Sequence, residues 1–281
     1  MSTESLVLSG GGPLAVGWEL GVLRGLREGG IDLGRFERVI GTSAGAIAGA
    51  LLTSGAPLEP IRVQPEQRTG ASPRSGPMDP EVAGQMFGII AMGGTADQAL
   101  RARVGGLALQ TRMPERAYLD LRRHIVPDVA WPRALVVTAV DTADGAFVSW
   151  TVEDHVPLPH AIAAATSLPG ISPPVTIGGR RFVDGGLRSA MSADLAAGDQ
   201  IVLIIAALPG TEWPVLLAAE MAAIEEAGGT VVPIRLDSTS AAALGPDRTD
   251  ETRQELAFEA GRRQGRAASA AISAVVGPGV A

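Results

Sequence analysis

Twice within the first 55 residues an apolar, strand-like run breaks on glycine and gives way to an apolar helical segment. Residues 5–9 (SLVLS) lead into Gly10-Gly11-Gly12 and then a helix from about Pro13 to Glu28, with Trp18, Val22 and Leu26 at helical spacing. Residues 37–41 (ERVIG) lead into a second helix from about Ala44 to Ser54, which ends at Gly55. Two strands in succession, each followed by a helix, open a parallel sheet with helices outside it, so the chain reads as α/β in three layers, α/β/α, with a mostly parallel central sheet.

The remaining chain extends the pattern. Residues 134–140 (ALVVTAV) read as a strand, and Asp144-Gly145 turns it into a hairpin partner at 146–152. Residues 175–177 and 180–183 flank Gly178-Gly179 as another hairpin. Residues 201–206 (IVLIIA) read as a fully buried strand, and 230–236 as a last one, which Pro233 confines to a sheet edge. A Glu/Arg/Ala helix from about 249 to 275 covers the sheet. Residues 56–80, rich in Pro, Ser, Arg and Gln, read as a surface excursion. Residues 81–126 read as helices broken at Gly93-Gly94 and Gly105-Gly106, either packed on the sheet or forming a cap over a pocket. With no internal repeat and no long linker, residues 1–281 are expected to form one domain.

Composition narrows the function. The net charge of −7 and the lack of a lysine-rich run argue against nucleic acid as a partner. Contact with lipid would have to use a local apolar surface rather than charge. With no cysteine, the chain has no disulfide, thiolate metal site or cysteine nucleophile. Residues 39–58 carry no charge, but their glycines, Pro57 and many alanines make them too weakly hydrophobic to span a membrane. The start lacks a signal-peptide pattern, so a soluble, cytoplasmic protein is expected, with at most transient contact with a membrane surface.

Gly41-Thr42-Ser43-Ala44-Gly45 fits G-x-S-x-G, which holds a nucleophilic serine on a sharp strand-to-helix turn. Glycine two residues either side removes the collisions such a turn would cause. A simple N-cap serine is the bland alternative. Gly10, Gly11 and Gly12 let backbone N–H groups converge on an anion, as an oxyanion hole requires. Gly10, Gly12 and Ala15 also fit a dinucleotide fingerprint, but the second strand ends in Gly41-Thr42-Ser43 where that fold needs an acid.

A serine nucleophile needs a base. The three histidines are His124, His155 and His160, and none follows residue 160, where a Ser–acid–His order would place one. His160 reads as a helix-start residue with a solvent-facing ring, and His155 lies in a polar turn. Asp141, Asp144 and Asp154 read as turn residues rather than metal ligands. Asp184, in Phe182-Val183-Asp184-Gly185-Gly186, ends a hairpin strand and could serve as base in a dry site. A turn-capping role is its alternative.

The run SGGG, then GTSAG some thirty residues later, then DGG far downstream, resembles the patatin-like phospholipases. Trp18-Glu19-Leu20-Gly21-Val22-Leu23, Leu168-Pro169-Gly170, Pro173-Pro174-Val175 and Asp194-Leu195-Ala196 extend the likeness over about residues 5–55 and 130–275. The resemblance implies a Ser–Asp dyad without histidine, with Ser43 as nucleophile and Asp184 as base. It implies oxyanion donors from Gly10, Gly11 and Gly12, joined by the N–H of Ala44. It also implies hydrolysis of acyl esters of lipids with no cofactor and no metal. The chain departs from many relatives at Leu14 and Ala15, where they carry a basic residue and glycine. That departure bears on phospholipid preference more than on acyl hydrolysis. A transacylase, or a non-catalytic lipid-binding protein of the same fold, is the alternative.

Overall fold

The computed structural model describes residues 3–61, 88–89, 92–125, 129–208, 210, 212–248 and 250–276. Residues 62–80 of the expected surface excursion, and 81–87, 90–91 and 126 of the expected cap region, lie outside these.

Among the described residues one eight-stranded sheet forms the middle layer. Its centre is parallel: β1 (Glu4–Leu8) lies between β2 (Arg38–Gly41) and β7 (Ile201–Ala206), and β8 (Thr230–Arg235) runs along the outer side of β7. Pro233 sits in β8 at that edge, as its missing N–H demands. The hairpins at Asp144-Gly145 and Gly178-Gly179 form as expected. They join β3 (Leu135–Asp141) to β4 (Phe147–Trp150), and β5 (Val175–Ile177) to β6 (Arg180–Asp184).

The pairing of β3 decides where a site can form. Val137 pairs with both Gly41 of β2 and Trp150 of β4, and Ala139 pairs with both Val148 of β4 and Asp184 of β6. A strand has two edges, so β4 takes one, and β2 and β6 share the other end to end. Because β2 runs parallel to β3 and β6 runs antiparallel, their last residues, Gly41 and Asp184, converge two register positions apart.

Alternating side chains of the strands feed two cores. Leu6, Leu8, Val39, Leu135 and Leu203 face one layer, built from helices α1 (Pro13–Glu28), α2 (Ala44–Thr53), α5 (Leu158–Ala165) and α8 (Gln254–Val276). Val7, Ile40, Val202 and Ile204 face the other, against Leu217 and Ile224 of α6 (Val215–Glu226). Val140 and Val183 pack there against Val104 and Ala108 of α3 (Gln98–Ala108). A further helix, α4 (Glu115–Arg123), packs on α5, and α7 (Ser238–Leu244) on α8. The layer order is thus α/β/α with a mostly parallel sheet. No helix among the described residues is long and apolar enough to cross a membrane. Residues 44–53, from the uncharged stretch, form the buried helix α2.

One feature departs from the sequence reading, and one goes beyond it. Gly93 and Gly94 break the chain with φ of 77° and 124°, but Gly105 and Gly106 lie inside α3. A Cβ on Gly105 would come 2.8 Å from the Thr142 Cα, so this glycine marks a close approach of helix to sheet. Helices α1 and α8 also meet backbone to backbone. A Cβ on Gly21 would lie 2.1 Å from the Phe258 carbonyl oxygen, and one on Gly261 2.1 Å from that of Trp18. Glycines recurring every four residues from Gly17 to Gly29 line this contact.

Candidate active site

Ser43 lies two residues past β2 and caps α2 with φ 54° and ψ −114°, a conformation that costs a non-glycine residue about 1–3 kcal/mol. The surrounding packing enforces it. A Cβ on Gly41 would lie 2.5 Å from the Gly45 carbonyl oxygen, and one on Gly45 2.1 Å from that of Leu8. Both glycines of the motif are therefore required by the tight passage of backbone against backbone. The turn is fastened to its neighbours: Gly45 N–H donates to the Ser9 carbonyl at 2.9 Å, and the Thr42 hydroxyl lies 2.9 Å from that of Thr138.

Asp184 ends β6 at 4% exposure, with its carboxyl close enough to the Ser43 hydroxyl for that hydroxyl to favour the ionised form. Its Oδ1 also accepts the Gly186 N–H at 2.8 Å. Burial pushes its pKa up to about 6. The bonds from Ser43 and Gly186 and the positive charge of Arg122 work in the opposite direction. Gly185 packs where a Cβ would strike the Thr138 hydroxyl at 2.4 Å, so the DGG glycine seats Asp184 close to the elbow. The turn-capping alternative is also present in the geometry, since the Gly186 bond is such a cap. It coexists with the Ser43 contact.

The three loop glycines are not equivalent. Gly10 N–H donates to the Ala190 carbonyl at 2.7 Å. This corrects the expectation that Gly10 supplies an oxyanion donor: its hydrogen is committed to the backbone, and the residue serves instead as the loop's contact with Ser43 (3.3 Å from a built Cβ to the Ser43 Cβ). Among the described residues the N–H groups of Gly11, Gly12 and Ala44 have no acceptor. Ala44 opens α2, whose N-terminus carries partial positive charge toward Ser43. Gly12, at φ 82°, opens α1. Leu14 and Ala15 are wholly buried and Leu14 belongs to the core, so the position of the usual basic residue is here part of the hydrophobic packing.

The histidines stand apart. His124 and His155 are exposed, and His160 lies in the first turn of α5, half-buried rather than solvent-facing, with Nδ1 lacking a partner among the described residues. Asp141 and Asp144 pair with Arg180 at 2.5 and 3.1 Å, and Asp154 accepts from the Thr151 N–H at 2.7 Å. Among the described residues no cluster of His, Asp and Glu could hold a metal ion.

Further groups around Ser43 and Asp184 were given no role in the sequence reading. Arg188 forks onto Asp194 with two contacts of 2.6 Å, and the buried Glu220 accepts the Ala193 N–H at 3.0 Å. These fasten residues 185–196, which follow Asp184 and include Ala190, whose carbonyl accepts the Gly10 N–H. Burial pushes Glu220 up to about 7. Arg122 of α4 stacks 5.0 Å over the Tyr118 ring, whose hydroxyl is tied to the Ala163 carbonyl and the Thr166 hydroxyl of α5.

Ser43 on a glycine-flanked turn and the buried Asp184 thus meet on a mostly parallel sheet between two helical layers, the arrangement a serine–aspartate site would need. The sequence profile of the patatin-like phospholipases matches residues 6–197, and the chain belongs to that family. No curated protein matched the chain. The fold is similar to the crystal structure of the type III effector protein ExoU, with 18% identity and a TM-score of 0.42 over 96% of this chain and 53% of that one. It is also similar to VipD from Legionella pneumophila, with 14% identity and a TM-score of 0.41 over 95% of this chain and 67% of that one. The chain thus corresponds to about half the length of ExoU.

Proposed function

We propose that the chain hydrolyses carboxylic ester bonds of lipids through an acyl-enzyme. The observation that carries this reading is the convergence of Ser43, held at positive φ, with the buried Asp184 where β2 and β6 end against β3. Asp184 takes the Ser43 hydroxyl proton as Oγ attacks the ester carbonyl, then delivers it to the leaving alkoxide. A water molecule next gives its proton to Asp184 and attacks the acyl-serine. The proton returns to Ser43 Oγ as the carboxylic acid departs. The N–H groups of Gly11, Gly12 and Ala44 hold the oxyanion in both steps; each such donor is worth about 3 kcal/mol in comparable sites. The reaction needs no cofactor.

Family membership supports a lipid as the acyl source. Met92 and Val215 are exposed, at 55% and 87%, and Gly93 packs against Leu217 while its carbonyl holds the Ala190 N–H. These two apolar residues therefore flank the segment beneath the glycine loop and would meet a lipid surface. The test is hydrolysis of p-nitrophenyl esters of increasing chain length and of phospholipid vesicles, beside Ser43→Ala. Turnover that vanishes in the variant is expected. Turnover that survives it, or wild type without turnover unless a carrier or coenzyme A accepts the acyl group, would replace this reading.

A further inference from the structure

Glu19 is a carboxyl group that the hydrolytic reading leaves unused. It lies in α1 at 0% exposure, makes no ion pair among the described residues, and its Oε2 has no hydrogen-bond partner there. Its polar neighbour is Ser9, whose hydroxyl lies 3.3 Å from Oε1 and whose backbone N–H also favours the ionised form. Burying an acid without a cation is costly unless it stays neutral. Such a residue in the middle of a packed helix calls for a reason.

Counting hydrogens supplies one. The Ser9 oxygen has three neighbours: the Ala207 N–H at 2.9 Å, the Gly10 carbonyl at 2.8 Å, and Glu19. Ala207 can only donate and the Gly10 carbonyl can only accept. Ser9 has a single hydroxyl hydrogen, and the carbonyl is the nearer acceptor. Assigning that hydrogen to Gly10, rather than to Glu19, leaves the contact with Glu19 to take its hydrogen from a neutral Glu19. The neutral acid donates, and Ser9 is then saturated with two bonds accepted and one given. Burial pushes the Glu19 carboxyl well above the usual carboxylate range, outweighing the contacts with Ser9, which work in the opposite direction.

The consequence falls on the peptide between Gly10 and Gly11. The peptide bonds described are trans, so the Gly10 carbonyl and the Gly11 N–H point to opposite sides of one plane. Fastening the carbonyl toward Ser9 turns the Gly11 N–H the other way. The Gly10 N–H is held on Ala190 at 2.7 Å, which fixes the preceding peptide as well. Ser9 further accepts the Gly45 N–H of the elbow through its own carbonyl, so one residue ties the glycine loop to the turn that carries Ser43.

We propose that Glu19 is a positioning residue of the site: as a neutral donor it orients Ser9, which clamps the Gly10 carbonyl and so aims the Gly11 N–H at the oxyanion. This rests on the hydrolytic reading. It adds two residues, Glu19 and Ser9, that touch no substrate.

The experiment compares wild type with Glu19→Gln, Glu19→Met and Ser9→Ala. Glutamine keeps a neutral donor; methionine fills the volume without one. On a p-nitrophenyl ester, Glu19→Gln should hold kcat within about threefold. Glu19→Met and Ser9→Ala should lose about 10- to 100-fold in kcat with KM nearly unchanged, a share of what one oxyanion donor supplies. Infrared spectra at pH 8 should show a protonated carboxyl band that Glu19→Gln removes, whether or not the protein turns over. Glu19→Gln falling as far as Glu19→Met, Glu19→Met retaining wild-type kcat, or no protonated carboxyl band would each overturn the proposal. Wild type without any turnover would instead sink the hydrolytic reading, and the infrared result would then decide the donor assignment alone.

Discussion

Replacing Asp184 by Asn should stabilise the protein while disabling it, and the gain should depend on pH in a calculable way. Burial raises the Asp184 pKa from 3.8 to about 6. Between those values the native state binds the proton more tightly than the unfolded chain. Above pH 6 both states are ionised, and the native state carries the full cost of the buried charge. A rise of this size corresponds to about 3 kcal/mol at pH 8, falling to about 0.6 kcal/mol at pH 4. Asparagine carries no charge to bury, so the variant should gain on wild type by that amount as pH rises through this window. The weaker acceptor that asparagine offers Ser43 subtracts a constant that does not vary with pH. Urea unfolding of both proteins at pH 4, 5, 6, 7 and 8 gives the difference directly. A difference that stays flat from pH 4 to 8, or that shrinks as pH rises, would refute the buried-base argument.

Other outcomes follow from the same geometry. The base must be ionised, so kcat/KM should rise with pH through a midpoint near 6 and then level, and Arg122→Met should move that midpoint upward, because the guanidinium charge holds the Asp184 pKa down; a midpoint unmoved in the variant would separate Arg122 from the base. Gly21→Ala should destabilise by about 1–3 kcal/mol in urea, since its Cβ has the Phe258 carbonyl 2.1 Å away, whereas on a free helix alanine would be favoured. A more stable Gly21→Ala protein would contradict the close helix contact. Met92→Ser combined with Val215→Ser should slow hydrolysis of phospholipid vesicles several-fold and leave a short, soluble ester unaffected; equal loss on both substrates would place these residues outside any lipid-facing surface.

Much of the architecture was written in short-range pattern. Buried strands appeared as uninterrupted aliphatic runs, the two hairpins were marked by Asp144-Gly145 and Gly178-Gly179, and Pro233 declared its edge. Between 206 and 230 the sequence offered no expectation, because α6 is apolar or alanine on nearly every side and shows little periodicity. Gly105 looked like a break because glycine's two uses, turning and close packing, are written with the same letter. The four-residue glycine spacing of α1 was visible, but its meaning required α8 from the far end of the chain. In the site, Ser43 and its two glycines were legible because the elbow is local. The meeting of Ser43 with Asp184 was implied by the family resemblance but not by local pattern, since it depends on β2 and β6 sharing one edge of β3. The loss of Gly10 as a donor depends likewise on Ala190, and Glu19 showed itself only as an acid on an apolar helix stripe.

The central claim is that Ser43 is an activated nucleophile. Treating the protein with a fluorophosphonate and measuring its intact mass tests this most directly. One phosphonyl group per chain is expected, localised to Ser43 by peptide mapping, absent from Ser43→Ala and formed far more slowly in Asp184→Asn. Wild type that takes up no label, or a Ser43→Ala protein labelled as fast as wild type, would contradict the account.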